Sequence, residues 1–131
     1  MLVFLDIFFF VFHTALIFFN LFGWAHPTTR PWNLATLLLT AFAWFGLGIF
    51  YGWGYCPCTD WHWQVREAMG QPMHTTSYTV FLVESTLPVN VSRLYMDGVT
   101  VAGLFLALFM SIYLNVRDWK RKRRNATHPT P

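Results

Sequence analysis

"LVFLDIFFFVFHTALIFFNLFGWA" (residues 2–25) decides the fold. It is almost unbroken Phe, Leu, Ile and Val, with one acid and no base. A helix needs roughly 20 apolar residues to cross a bilayer core, and this stretch is long enough. Two others match it: "NLATLLLTAFAWFGLGIFYGWGY", about 33–55, and "MDGVTVAGLFLALFMSIYLNV", about 96–116. No basic residue precedes Arg30. The first stretch therefore lacks the charged n-region of a secretory signal and is longer than an h-region. A retained helix is expected.

Composition agrees. The chain of 131 residues is 55% hydrophobic and 11% charged, where soluble domains carry about 25% charged residues. So short a chain has too little interior to hide that much apolar surface from water. The expected architecture is all-α: an integral membrane helical bundle with three transmembrane helices and short interfacial amphipathic helices. These shorter segments are 59–69 and 75–88. The second, "TTSYTVFLVESTLP", is short for a span and reads as interfacial or re-entrant. A fourth crossing there is the alternative, and it would move residues 56–74 to the cytoplasmic side.

The joints fit this scheme. "HPTTRPW" (26–32) reads as a tight turn between antiparallel helices. Tryptophans and tyrosines gather near the predicted helix ends, where amphipathic rings settle among headgroups. Six of the nine Lys and Arg residues follow the last span: Arg117, Lys120, Arg121, Lys122, Arg123 and Arg124. Such clusters face the cytoplasm and attract anionic lipid headgroups. This predicts a bacterial inner-membrane protein with a cytoplasmic C-terminus, the N-terminus and residues 56–95 lying outside. One domain (1–120) would end in a basic, then disordered, tail (121–131).

Polar residues inside the spans are the first place to seek function. Asp6, His13 and Asn20 recur every seven residues, which returns them to nearly the same helix face. Charges in hydrocarbon cost about 2.5–3.5 kcal/mol on insertion scales, so such a stripe faces a bundle interior or a wet cavity. His13 is positioned to relay a proton or to hydrogen-bond a quinone-like headgroup. The structural alternative is a bond to Thr36, Thr40 or Ser111. Haem is disfavoured, because neither other span offers a second histidine at its depth.

The second place is "GYCPCTDWHWQVR" (54–66), followed by Gly70. It resembles the hallmark of a bacterial family of small multi-pass membrane proteins known only as a domain of unknown function. That family carries Cys-Pro-Leu-Thr, then Pro-x-Glu, then an Arg one turn later, and a histidine in its first helix. Cys56, Pro57, Thr59, Arg66 and His13 fall on matching positions. Cys58 stands in place of the Leu, and His62 in place of the Glu. The resemblance implies membrane architecture and adds no known activity, and any shared role would rest on Cys56 alone.

Locally, Thr59 is expected to cap a helix that runs to about Met69 and stops at Gly70. Trp61 and Val65 would dip into lipid while His62, Arg66 and Glu67 face out. The sharper reading is a metal or redox site built from Cys56, Cys58, His62 and His74, though their spacing matches no strong zinc pattern. A Cys56–Cys58 disulfide is possible if the loop faces an oxidising periplasm, though strained, because Pro57 holds Cys56 extended. Gly48/Gly52 and Gly98/Ala102 form small-residue ridges suited to close helix packing. Arg93 is expected to pair with Asp97, and Glu84 with Arg93 or Arg66.

No nucleotide loop, nucleophile elbow or nucleic-acid module is present in the sequence. A non-catalytic accessory, assembly or stabilising subunit, partnered by lipids and other integral membrane subunits, is favoured. No cofactor is firmly expected. One alternative is a redox-linked protein handling a quinone or metal ion through His13 and the Cys56/His62 region. The other is an oligomeric carrier or proton-conducting bundle.

Overall fold

The computed structural model describes residues 1–128. Among these there are helices and turns and no strand. The order is α1 (Leu2–Phe22), a 3-10 turn (Gly23–Ala25), α2 (Arg30–Ala41), a π turn (Phe42–Leu47), α3 (Gly48–Tyr51), α4 (Pro57–Ala68), α5 (Tyr78–Thr86) and α6 (Arg93–Thr127). Three helical stretches are long and apolar enough to cross a membrane: Leu2–Ala25, Arg30–Tyr51 and Arg93–Thr127.

Several boundaries differ from expectation, and the second long helix begins at Arg30, three residues early. The second long helix ends at Tyr51 and not near residue 55, because Gly52 takes φ +105° and turns the chain out of the helix. The third begins earlier and runs further, carrying the basic tail and residues 125–127 as helix. The order expected to be lost there is kept, since no residue of 117–127 is Gly or Pro. The end of the tail, 129–131, lies outside the described residues.

Polar side chains set the helix pairings. At one end, Arg30 donates to Asp118 at 2.7 Å and Asn115 Nδ2 to the Arg30 carbonyl at 3.1 Å, joining α2 to α6. Asn33 is fully buried, and its Nδ2 donates to the Phe19 carbonyl at 2.7 Å and the Asn20 carbonyl at 3.2 Å. Asn20 Nδ2 in turn donates to Thr40 Oγ1 at 3.0 Å. A small apolar core of Leu37, Leu104 and Ala107 sits beside this joint. Asn33→Ala removes both donations to the last turn of α1 and is expected to cost about 1–2 kcal/mol. Detergent-solubilised thermal melts would show it, and an unchanged midpoint would argue that α1 and α2 do not depend on this amide.

At the other end, α5 bridges α1 and α6. Tyr78 Oη donates to the Phe10 carbonyl at 3.0 Å, and Ser77 Oγ to Asp97 Oδ1 at 2.6 Å. The expected Arg93–Asp97 pair is present at 3.3 Å. Glu84 meets neither Arg93 nor Arg66; its carboxylate accepts the Val91 N–H instead.

The glycine ridges are not helix contacts. Gly98 has open space around it and Ala102 is exposed, so this pair presents a free face of α6. Gly52 also has open space. Gly48 alone is tightly enclosed, and by its own chain: a Cβ there would lie 3.3 Å from Trp53 Cα. The returning loop 52–56 lies against it, held by the Gly54 N–H donating to the Trp44 carbonyl at 3.3 Å. Close approach between helices occurs instead at Gly103, whose added Cβ would meet Leu21 at 3.3 Å.

Candidate functional site

The turn at Gly52 and Gly54 (φ +81°) delivers Cys56 to the side of α1. α4 then runs antiparallel along the N-terminal half of α1. Its start is set by Pro57 at the first helical position, where the missing N–H costs nothing and φ is already helical. Cys56 is therefore the cap residue, and Thr59 sits inside the first turn, contrary to the expectation that Thr59 caps. The far end behaves as expected. Gly70 (φ +74°) closes the helix, with its N–H donating to Glu67 and that of Gln71 to Arg66, both at 2.9 Å.

His62 and Arg66, expected to face out, turn inward, while Glu67 faces out as expected. Thr59 and His62 are buried, Arg66 is half-buried, and Trp61 is exposed. The spacing 59, 62, 66 is one helix face, and it meets the Asp6/His13 stripe of α1. His62 Nε2 donates to Asp6 Oδ1 at 2.8 Å, while Arg66 Nη1 lies 3.1 Å from the same oxygen and 3.4 Å from Oδ2. Arg66 also reaches Gln71 and lies over the Phe81 ring, 5.1 Å from its centroid. The stripe thus meets a surface helix. Only Asn20 bonds one of the hydroxyls named as partners from the sequence, that of Thr40.

His13 is the second centre. Its Nδ1 lies 3.4 Å from Thr59 Oγ1 and its Nε2 lies 3.8 Å from Cys56 Sγ. Tyr78 stacks on the ring at 3.9 Å between centroids and 20° between planes, so the imidazole is held from three sides. His13 does not touch Thr36, Thr40 or Ser111 by hydrogen bond. Of the four proposed ligands, Cys56 goes to His13, His62 goes to Asp6, Cys58 is half-buried, and His74 is exposed. Among the described residues no three His, Cys, Asp or Glu side chains converge as a metal site. Both cysteines are free thiols.

Tyr78 and Asn33 are among the polar groups that sequence reasoning missed. Nothing in the spacing marks Tyr78, whose hydrogen-bond partners Phe10 and Thr14 lie 68 and 64 residues away. Thr59, His62 and Arg66 could have been found, since their spacing already draws one polar face. The six cations of the tail are exposed along α6, and Arg123 stacks over Trp119 at 4.0 Å.

His62 carries a pH dependence. Burial lowers its pKa, against the opposing pull of Asp6, with Arg66 and His13 adding to the lowering. Geometry agrees: with Nε2–H given to Asp6, its buried Nδ1 has no partner, so a second proton would be stranded. A depressed imidazole stabilises the fold above its unfolded pKa of about 6.5. That contribution is lost as pH falls below it. Thermal midpoints are expected to drop from pH 7 to pH 5 in the parent and to drop less in His62→Gln. Equal slopes would remove His62 as the cause.

A family model described as "Protein of Unknown function (DUF2784)" matches residues 3–116. The chain belongs to this family. The match runs from the first turn of α1 to the middle of α6, so DUF2784 includes both centres described above and stops before the basic extension. No curated protein and no solved structure matches the chain.

Proposed function

We propose that this DUF2784 chain is a three-span protein of the bacterial inner membrane, its C-terminus cytoplasmic. In that membrane it serves as a non-catalytic accessory, assembly or stabilising subunit of a larger complex. One observation carries the reading: the molecule is built inside-out. Only 6%, 11% and 22% of the three apolar windows are buried within the chain. Phe4, Phe8, Phe12, Phe18 and Phe22 of α1 are all exposed, while Asp6, His13 and Asn20 turn inward. So large an apolar, aromatic surface needs lipid and neighbouring helices to cover it. The cations of α6 support the orientation, each contributing about 1 kcal/mol near an anionic leaflet.

Blue-native electrophoresis after gentle solubilisation is the test. A co-migrating integral membrane partner is expected, and a well-behaved monomer without one overturns the subunit role. A second reading, redox-linked chemistry, is supported by the approach of His13 to Cys56. Metal, chromophore and quinone analysis of purified protein tests its ligand-bound form, which fails if none is bound.

A further inference from the structure

We propose that Cys56 and Cys58 are a redox-active dithiol that reduces disulfides by thiol–disulfide exchange, with His13 as the base. This rests on the redox reading and not on the subunit role. It needs neither metal nor quinone.

The two thiols flank a single helical residue. In helix geometry, residues two apart have Cα atoms about 5.4 Å apart, inside the 4.4–6.8 Å that disulfides span. Cys56 is extended as expected (φ −134°, ψ 119°), while Pro57 is itself helical and sets a Cα spacing within the disulfide range. Both cysteines are only half-buried, so an incoming disulfide has access.

Three features activate Cys56. Its sulfur lies 3.8 Å from His13 Nε2, and that ring is fixed by Thr59 and Tyr78. Cys56 stands at the N-terminus of a 12-residue helix, whose dipole favours an anion. Its pKa is lowered, first by a hydrogen bond from the Cys58 thiol and then by His13 and the Thr59 amide, against the opposing effect of burial. Cys58 moves the other way, raised by Cys56 and by burial. One thiol is the nucleophile and its neighbour keeps its proton, as attacking and resolving cysteines require.

The step balances. His13 takes the Cys56 proton, and the thiolate attacks one sulfur of a disulfide R–S–S–R′. The S–S bond breaks and R′–S⁻ leaves, collecting the proton from His13. Cys58 then loses its proton, attacks Cys56 Sγ in the mixed disulfide and expels R–S⁻, which takes that proton. The Cys56/Cys58 dithiol has given two electrons and two protons and become the disulfide, and R–SH and R′–SH have received them.

The test uses the full chain in detergent, equilibrated across mixtures of reduced and oxidised glutathione, then acid-quenched and read by intact mass. A reversible loss of two hydrogens is expected in the parent. Cys58→Ser should accumulate one glutathione on Cys56, and Cys56→Ser should not accumulate it on Cys58. Iodoacetamide rates in Cys58→Ser should stay high below the ordinary thiol range, and His13→Gln should raise the pH midpoint of that profile by about one unit, roughly tenfold slower at any pH below both midpoints. The alkylation profile with His13 intact keeps the question open to refutation should His13→Gln misfold. Absence of the intrachain disulfide at every ratio overturns the proposal. So does an alkylation profile centred on an ordinary thiol. A positive result with no co-migrating partner would leave the exchange standing and the subunit role overturned.

Discussion

Asp6→Asn is expected to detach α4 from α1. Asp6 holds His62 at 2.8 Å and Arg66 at 3.1 Å through one oxygen, and the Arg66 side chain is only 20% exposed. The substitution keeps size and shape and removes the charge that compensates the guanidinium. Breaking a buried pair costs 3–5 kcal/mol; partial exposure brings the expectation here to about 2–3 kcal/mol. For a chain of this size that is roughly 5–10 °C in thermal midpoint. Arg66→Gln should cost less, because a neutral Gln leaves no charge behind. The double variant should fall short of the sum by about 1–3 kcal/mol. Strict additivity in thermal melts would mean that the contact carries no coupling and that α4 is held by packing alone.

Gly48→Leu is the other large effect. A Cβ at this position would stand 3.3 Å from Trp53 Cα, 3.7 Å from Trp53 N and 3.8 Å from Gly54 N. These are backbone atoms, so no side chain can swing aside. Ala is expected to cost about 1 kcal/mol and Leu about 3 kcal/mol, by forcing the loop away from α3. The loop carries Cys56, so the same variant should lose the contact with His13 and expose the thiol. Gly52→Ala is the comparison: it meets open space and pays only backbone strain at φ +105°, about 1–3 kcal/mol. The Leu variant should therefore move the pH midpoint of iodoacetamide labelling of Cys56 up toward the ordinary thiol range, which Gly52→Ala should not do. Matching midpoints would mean that the loop does not position the thiol.

Much of this architecture was legible. Hydropathy alone marks the three long helices, and the seven-residue recurrence of Asp6, His13 and Asn20 marks an inward face. The partners of that face were misread for a local reason. Reading Thr59 as the cap placed the helix start three residues late, and His62 and Arg66 were expected on the outward face. Pro57 at the first helical position moves the start, and the alternative face of 59, 62 and 66 then docks. Tyr78 and Asn33 were not legible at all, since their roles come from carbonyls of α1 that the sequence does not display. The glycine ridges failed because small residues mark close approach without naming what approaches. At Gly48 it is the chain's own return, and at Gly98 it is nothing within this chain.

The widened turn at Phe42–Leu47 has a mechanical side. The Trp44 carbonyl, inside that turn, accepts the Gly54 amide, so the second long helix and the loop that returns to Cys56 are fastened at one rung. A tilt or stretch of that helix pulls on the sulfur that faces His13. Bilayer thickness or a neighbouring subunit leaning on Phe45 and Ile49 would thus have a lever on the reactivity of a thiol in another part of the chain.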